Sequence, residues 1–147
     1  MMRRFVLFLT LALCCTPRDG EARPRKTVPG PGIEYLDSNF KTYDQIQKNI
    51  HSYAEPGYLE FRSSKELASH LEENGFSIEW GVGGIPTAFV ATFGSGSPCI
   101  GLLGEYDALP GMSQDTSCFK HPAKEGAAGH ACGHNLLGTA TAASART

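Results

Sequence analysis

The chain has 147 residues, 41% apolar and 19% charged, the balance of a single soluble domain. A net charge of −2 and a pI near 6.2 leave no electrostatic footprint for nucleic acid. No stretch beyond the N-terminus approaches the roughly 18–20 consecutive apolar residues that a membrane-spanning helix needs.

The N-terminus reads as a separate object. Met1-Met2-Arg3-Arg4 is a basic start, Phe5 to Cys15 is an almost unbroken apolar run, and Gly20-Glu21-Ala22 places small residues where a leader protease reads. Residues 1–22 are therefore expected to be a signal peptide, and the protein to be secreted or periplasmic. Cys14 and Cys15 raise lipid anchoring as an alternative, which bulky Leu13 before Cys14 disfavours. Residues 23–32, rich in Pro, Arg and Gly, read as a linker, and residues 33–147 as the folded part. Loss of the leader leaves Cys99, Cys118 and Cys132, an odd number, so at least one thiol is unpaired or bound to something. Cys99, in an apolar run, is expected in the core, and Cys118, in a polar stretch, at the surface.

Ile33, Leu36, Phe40, Tyr43, Ile46, Ile50 and Tyr53 recur at helical spacing and predict an amphipathic helix that Pro56-Gly57 stops. Ser63 or Ser64 is the expected cap of a second helix, Lys65 to Asn74, which faces Leu67, Ala68 and Leu71 inward and stops at Gly75. Phe76 to Trp80 predicts a short strand, followed by a turn over Gly81–Gly84. Ala88 to Phe93 and Pro98 to Glu105 are expected strands joined by a hairpin loop, Gly94-Ser95-Gly96-Ser97. The second of these is apolar on both faces, the pattern of a central strand covered on each side. Small residues from Cys132 to Ala145 predict a helix packed tightly on that sheet. The expected fold class is α/β, helices packed on a mixed sheet that these residues leave incomplete.

Two segments carry chemistry. Glu105 and Asp107 lie just beyond the carboxyl end of an expected strand, where catalytic groups gather in open α/β sheets. Cys132 and His134 fall at the N-terminal turn of the last helix, whose dipole favours the thiolate a metal requires. Soft and borderline donors in one segment and carboxylates in the other suggest a metal-dependent hydrolase. Asp107 either binds the metal or accepts the second N–H of a ligating histidine. Cys132 as a nucleophile with His134 as its base, or plain solvated carboxylates at Glu105 and Asp107, are the competing readings. His130 is expected in a supporting or loop role, and His51, His70 and His121 at the surface.

Gly84-Ile85-Pro86-Thr87-Ala88-Phe89-Val90-Ala91, Glu105-Tyr106-Asp107-Ala108-Leu109-Pro110-Gly111 and Gly129-His130-Ala131-Cys132-Gly133-His134-Asn135-Leu136-Leu137-Gly138 occur in this order, with Ala54 to Glu60 and Ser63-Ser64-Lys65 as weaker companions. Together they resemble the amidohydrolase branch of the M-twenty metallopeptidase family, particularly its aminobenzoyl-glutamate hydrolase B-subunit-like members. The resemblance covers roughly residues 40–145. It implies a divalent metal, zinc or manganese, with Cys132 and His134 as ligands and Asp107 supporting the site. Glu105 stands where many relatives carry histidine or aspartate. It also implies a zinc-peptidase-like catalytic domain, of which this chain is a truncated part. In the family a smaller dimerisation domain interrupts that domain, so the full-length parent would be a homo-oligomer. Substrates would be small amides: N-acyl amino acids, dipeptides or aminobenzoyl-glutamate. The family's general base comes from a Glu-Glu pair followed by further acidic and histidine ligands, and no Glu-Glu pair follows the Cys132–His134 motif in these residues. The alternative is a non-catalytic remnant or partner-binding fragment.

Overall fold

The computed structural model describes residues 30–147, so the expected leader and residues 23–29 of the linker lie outside the described residues. The first element is α1 (Pro31–Tyr53), which has proline in its first turn, where a missing N–H leaves no hydrogen bond unmade. It thus begins before Ile33 and takes up the end of the expected linker. Ala54 closes α1 in a left-handed conformation, its N–H bonded to the Ile50 carbonyl. Of the apolar stripe, Tyr43, Ile46 and Ile50 are buried, but Ile33 and Phe40 are exposed. The elements that cover α1 leave that part of the stripe bare.

The second helix, α2 (Phe61–Glu73), starts earlier than expected, and Ser63 and Ser64 are buried inside it rather than capping it. The Glu55 carboxylate caps it instead. It accepts the N–H groups of Arg62 and Ser63 at 3.1 and 2.9 Å, the Ser63 hydroxyl at 2.8 Å, and the Arg62 Nε–H at 3.0 Å. These donors occupy groups that a helix N-terminus leaves orphaned. Burial works against the charge, yet the bonds from Ser63 and Arg62 hold this carboxyl below the usual range. A depressed folded value means that the cap stabilises the fold above about pH 4.5, the ordinary value, and is lost as pH falls through the lower folded value. We expect Glu55→Gln to destabilise the fold by about 1 kcal/mol at neutral pH. In urea unfolding the variant and the parent should converge as pH drops below 4.5; an equal gap at both pH values would contradict the assignment.

Leu67, Ala68 and Leu71 of α2 face inward as expected, and Gly75 follows with positive φ. Two strands, β1 (Ser77–Trp80) and β2 (Phe89–Thr92), pair antiparallel, Ser77 opposite Thr92 and Trp80 opposite Phe89. A 3-10 turn over Val82–Gly84 connects them. The hairpin is therefore β1–β2, a two-stranded sheet, and not the expected pair across Gly94–Ser97. Pro98 to Glu105 joins no ladder among the described residues. Ile100 is 83% exposed, Leu103 is 90% exposed, and Cys99 is exposed rather than in the core. A strand apolar on both faces needs neighbours on both sides, and the described residues supply none. Cys118 is exposed as expected, and Cys99, Cys118 and Cys132 form no disulfide among the described residues.

The last helix, α3 (His134–Arg146), runs antiparallel along α1. Asn135 bonds the Gln47 side chain at 3.0 Å at one end, and Thr147 sits beside Gly32 at the other. Ala142 and Ala143 meet Tyr43, Ile46, Ile50, Leu67, Leu71 and Phe76 in one core. Gly138 permits a close approach: a Cβ there would lie 3.0 Å from the Glu105 carbonyl and 3.1 Å from Tyr106 Cβ. The small residues of α3 thus press the helix against the segment that carries Glu105 and Asp107.

Candidate metal site

Three stretches far apart in sequence are stitched together by a short backbone ladder. The Ala108 N–H donates to the Glu55 carbonyl at 2.8 Å, beside a parallel bridge between Pro56 and Ala108. Leu109 and Gly129 exchange both N–H···O bonds at 3.0 Å, as an antiparallel pair. Only glycine fits at 129, because a Cβ would run into the Met112 carbonyl. This ladder brings Asp107 and the Gly129–His134 loop to one place.

His134 opens α3 immediately after Gly133, which is left-handed at φ 76°. Its Nδ1 lies 2.7 Å from Asp107 Oδ1 and its Nε2 lies 3.2 Å from Glu105 Oε2. The ring is largely buried, Asp107 is one-third exposed and Glu105 is open. Asp107 Oδ1 accepts from Nδ1, and Nε2 faces the Glu105 carboxylate. Donors sharing one zinc ion at about 2.0–2.2 Å each lie about 3.3 Å apart, which the Glu105–His134 spacing matches. Glu105, which stands where many relatives carry histidine or aspartate, thus lies against His134. Cys132 is exposed, two residues before α3. No group of three or more His, Cys, Asp or Glu side chains converges to enclose an ion among the described residues. The geometry is His134 in contact with both Asp107 and Glu105.

His130 supports the loop. Its Nε2 lies 3.1 Å from the Ile50 carbonyl, tying the Gly129–His134 loop to the end of α1, and burial pushes its imidazole below the ordinary range. Its Nδ1 is buried without a hydrogen-bond partner among the described residues. His51 and His121 are exposed as expected. His70 is not: it is half-buried, 3.3 Å from the Tyr43 hydroxyl, and burial lowers its value.

One cluster escaped the sequence reading. Buried Glu60 accepts the Thr87 hydroxyl at 2.6 Å, and the Tyr106 hydroxyl donates to the Thr87 carbonyl at 2.7 Å. Burial and the Glu60 charge push the Tyr106 phenol up to about 12. The chain thereby braces the residue next to Asp107. A Cβ at Gly57 would lie 3.9 Å from both Asp107 Oδ2 and Glu60 Oε1, so that residue borders both carboxylates. A glutamate within Ala54–Glu60 and a threonine within Gly84–Ala91 were visible as motif members, but nothing in their spacing reveals that they touch.

No family model matches the chain. It is 47% identical over 111 residues to the B subunit of p-aminobenzoyl-glutamate hydrolase of Escherichia coli (strain K12), covering 75% of this chain and 23% of that protein. It is 38% identical over 93 residues to thermostable carboxypeptidase 1 of Saccharolobus solfataricus, covering 62% of this chain and 23% of the relative. Hippurate hydrolase of Campylobacter jejuni is 30% identical over 93 residues, 63% of this chain and 24% of the relative. The chain is thus related to hydrolases and carboxypeptidases. The chain belongs to the M-twenty peptidase and amidohydrolase family. It spans about a quarter of the length of the curated relatives it matches.

Proposed function

We propose that this chain contributes part of the metal site of an amidohydrolase that cleaves N-acyl amino acids, dipeptides or aminobenzoyl-glutamate-like amides. The observation that carries the reading is His134 held between Asp107 and Glu105 at 2.7 and 3.2 Å. His134 and Cys132 are the proposed ligands of a zinc or manganese ion, Glu105 a further oxygen donor, and Asp107 the residue that orients His134. When bound, such an ion supplies Lewis-acid polarisation of an amide carbonyl. Hydrolysis then needs a base and further donors from residues beyond this set. The names of the relatives support an amide-bearing small molecule as substrate. The basic, apolar N-terminus supports export. A second reading, a fragment that works only with a partner, is favoured by the exposed Ile100 and Leu103.

Asp107→Asn in the full chain tests the first reading. Asparagine still accepts a hydrogen bond from Nδ1 but removes the charge that makes the ring a strong donor. Zinc affinity, measured by competition with a chelator, should fall about 10–100-fold. Unchanged affinity would mean that Asp107 serves only the fold.

A further inference from the structure

Tyr106 stands between Glu105 and Asp107, the two carboxylates in contact with His134. One short stretch of backbone carries all three, so whatever fixes the phenol fixes where both carboxylates stand. The phenol is held from two sides. On one, its hydroxyl donates to the Thr87 carbonyl at 2.7 Å and its ring stacks on Phe89, centroids 6.1 Å apart. On the other, Tyr106 Cβ lies against Gly138, where an added Cβ would come within 3.1 Å of it. Gly138 follows His134 by about one turn of α3 and shares its face. The helix therefore rests on Tyr106 close to the ring that Asp107 contacts.

Thr87 is itself anchored. It is 2% exposed, and its hydroxyl donates to Glu60 Oε2 at 2.6 Å. The turn that carries it is closed by the Gly81 N–H on the Ala88 carbonyl at 2.9 Å and the Ala88 N–H on the Ile85 carbonyl at 3.0 Å. Glu60, 8% exposed, directly precedes α2. Burying a carboxylate costs free energy unless hydrogen bonds compensate it. The bond seen here ends on the residue that receives the phenol.

We propose that Tyr106 is a positioning residue for His134: its hydroxyl, anchored on Thr87 and through Thr87 on Glu60, sets the hydrogen bond between Asp107 and the ring. The proposal rests on the metal-site reading above and adds to it a residue that acts through Asp107. A hydrogen bond of 2.7 Å weakens steeply as its donor and acceptor turn out of line. A small rotation of the backbone at Tyr106 is therefore felt at Nδ1. Phenylalanine keeps the stacking on Phe89 and the fit against Gly138 and removes only the hydroxyl, so it separates the anchor from the packing.

The test compares Tyr106→Phe with the parent in the full chain by two readouts. In the metal-free protein, the His134 Nδ1 nitrogen resonance, read through the carbon-bound protons of the ring, should move from its parent position toward that of Asp107→Asn. In chelator competition, Tyr106→Phe should weaken zinc binding about tenfold in the parent background. In the Asp107→Asn background the further loss should be less than about twofold, because the hydroxyl acts through the residue already changed. A resonance at the parent position, undiminished zinc affinity, or the same loss in both backgrounds would overturn the proposal. Where Tyr106→Phe does not fold, Glu60→Asp, which withdraws the anchor by one methylene, is read by the same criteria. A parent chain that takes up no zinc defeats the metal-site reading, and the metal-free ring spectrum then decides the positioning claim alone.

Discussion

Replacing His134 by alanine should lower zinc affinity by about a hundredfold or more, while the far-ultraviolet circular dichroism of the chain stays that of the parent. The loss exceeds that of Asp107→Asn because the donor itself disappears, not just the group that orients it. Alanine is a good helix former, and His134 stands at the first position of α3, so the helix survives. Glu105 and Asp107 would then face each other without the ring between them. The measurement is chelator competition on parent and variant under the same conditions. Equal affinity would show that the ring bridges two carboxylates only to hold the fold.

The largest stability effect is expected from Ile50→Ala. Ile50 is 0% exposed in a core shared by α1, α2, β1 and α3. Removing its buried carbons loses the transfer term and leaves a cavity, about 2–5 kcal/mol together. Domains of this size have about 5–15 kcal/mol in total, so the variant should melt about 10 °C or more below the parent. The Ile50 carbonyl also receives the Ala54 N–H and His130 Nε2, so disorder at this turn of α1 reaches the Gly129–His134 loop. A melting temperature within about 3 °C of the parent would mean that the core closes over the gap.

Helical spacing in Tyr43, Ile46 and Ile50, and in Leu67, Ala68 and Leu71, was legible because burial on one face of a helix imposes a period that a sequence displays. The start of α2 was not, because its cap comes from Glu55, outside the helix and before two residues that look like better caps. Pro98 to Glu105 has the composition of a central strand, but composition reports what a segment needs and not whether neighbours are present to supply it. Asp107, Cys132 and His134 were legible as chemistry through their motifs. Asp107 and His134 meet in space, and Cys132 is exposed. The facing of Glu105 and His134, and the Glu60–Thr87–Tyr106 brace, depend on contacts between segments 19 to 29 residues apart, which spacing does not encode.

Cobalt(II) titration of the full chain is the most direct test of the claim that these residues form part of a metal site. The prediction is a thiolate-to-cobalt charge-transfer absorption at saturating metal, reversed by dialysis against a chelator and abolished in Cys132→Ser. Serine keeps the size of the side chain but removes the sulfur that gives rise to the band. Absence of the band in the parent, or its persistence in Cys132→Ser through Cys99 or Cys118, would contradict the assignment of Cys132 as a ligand.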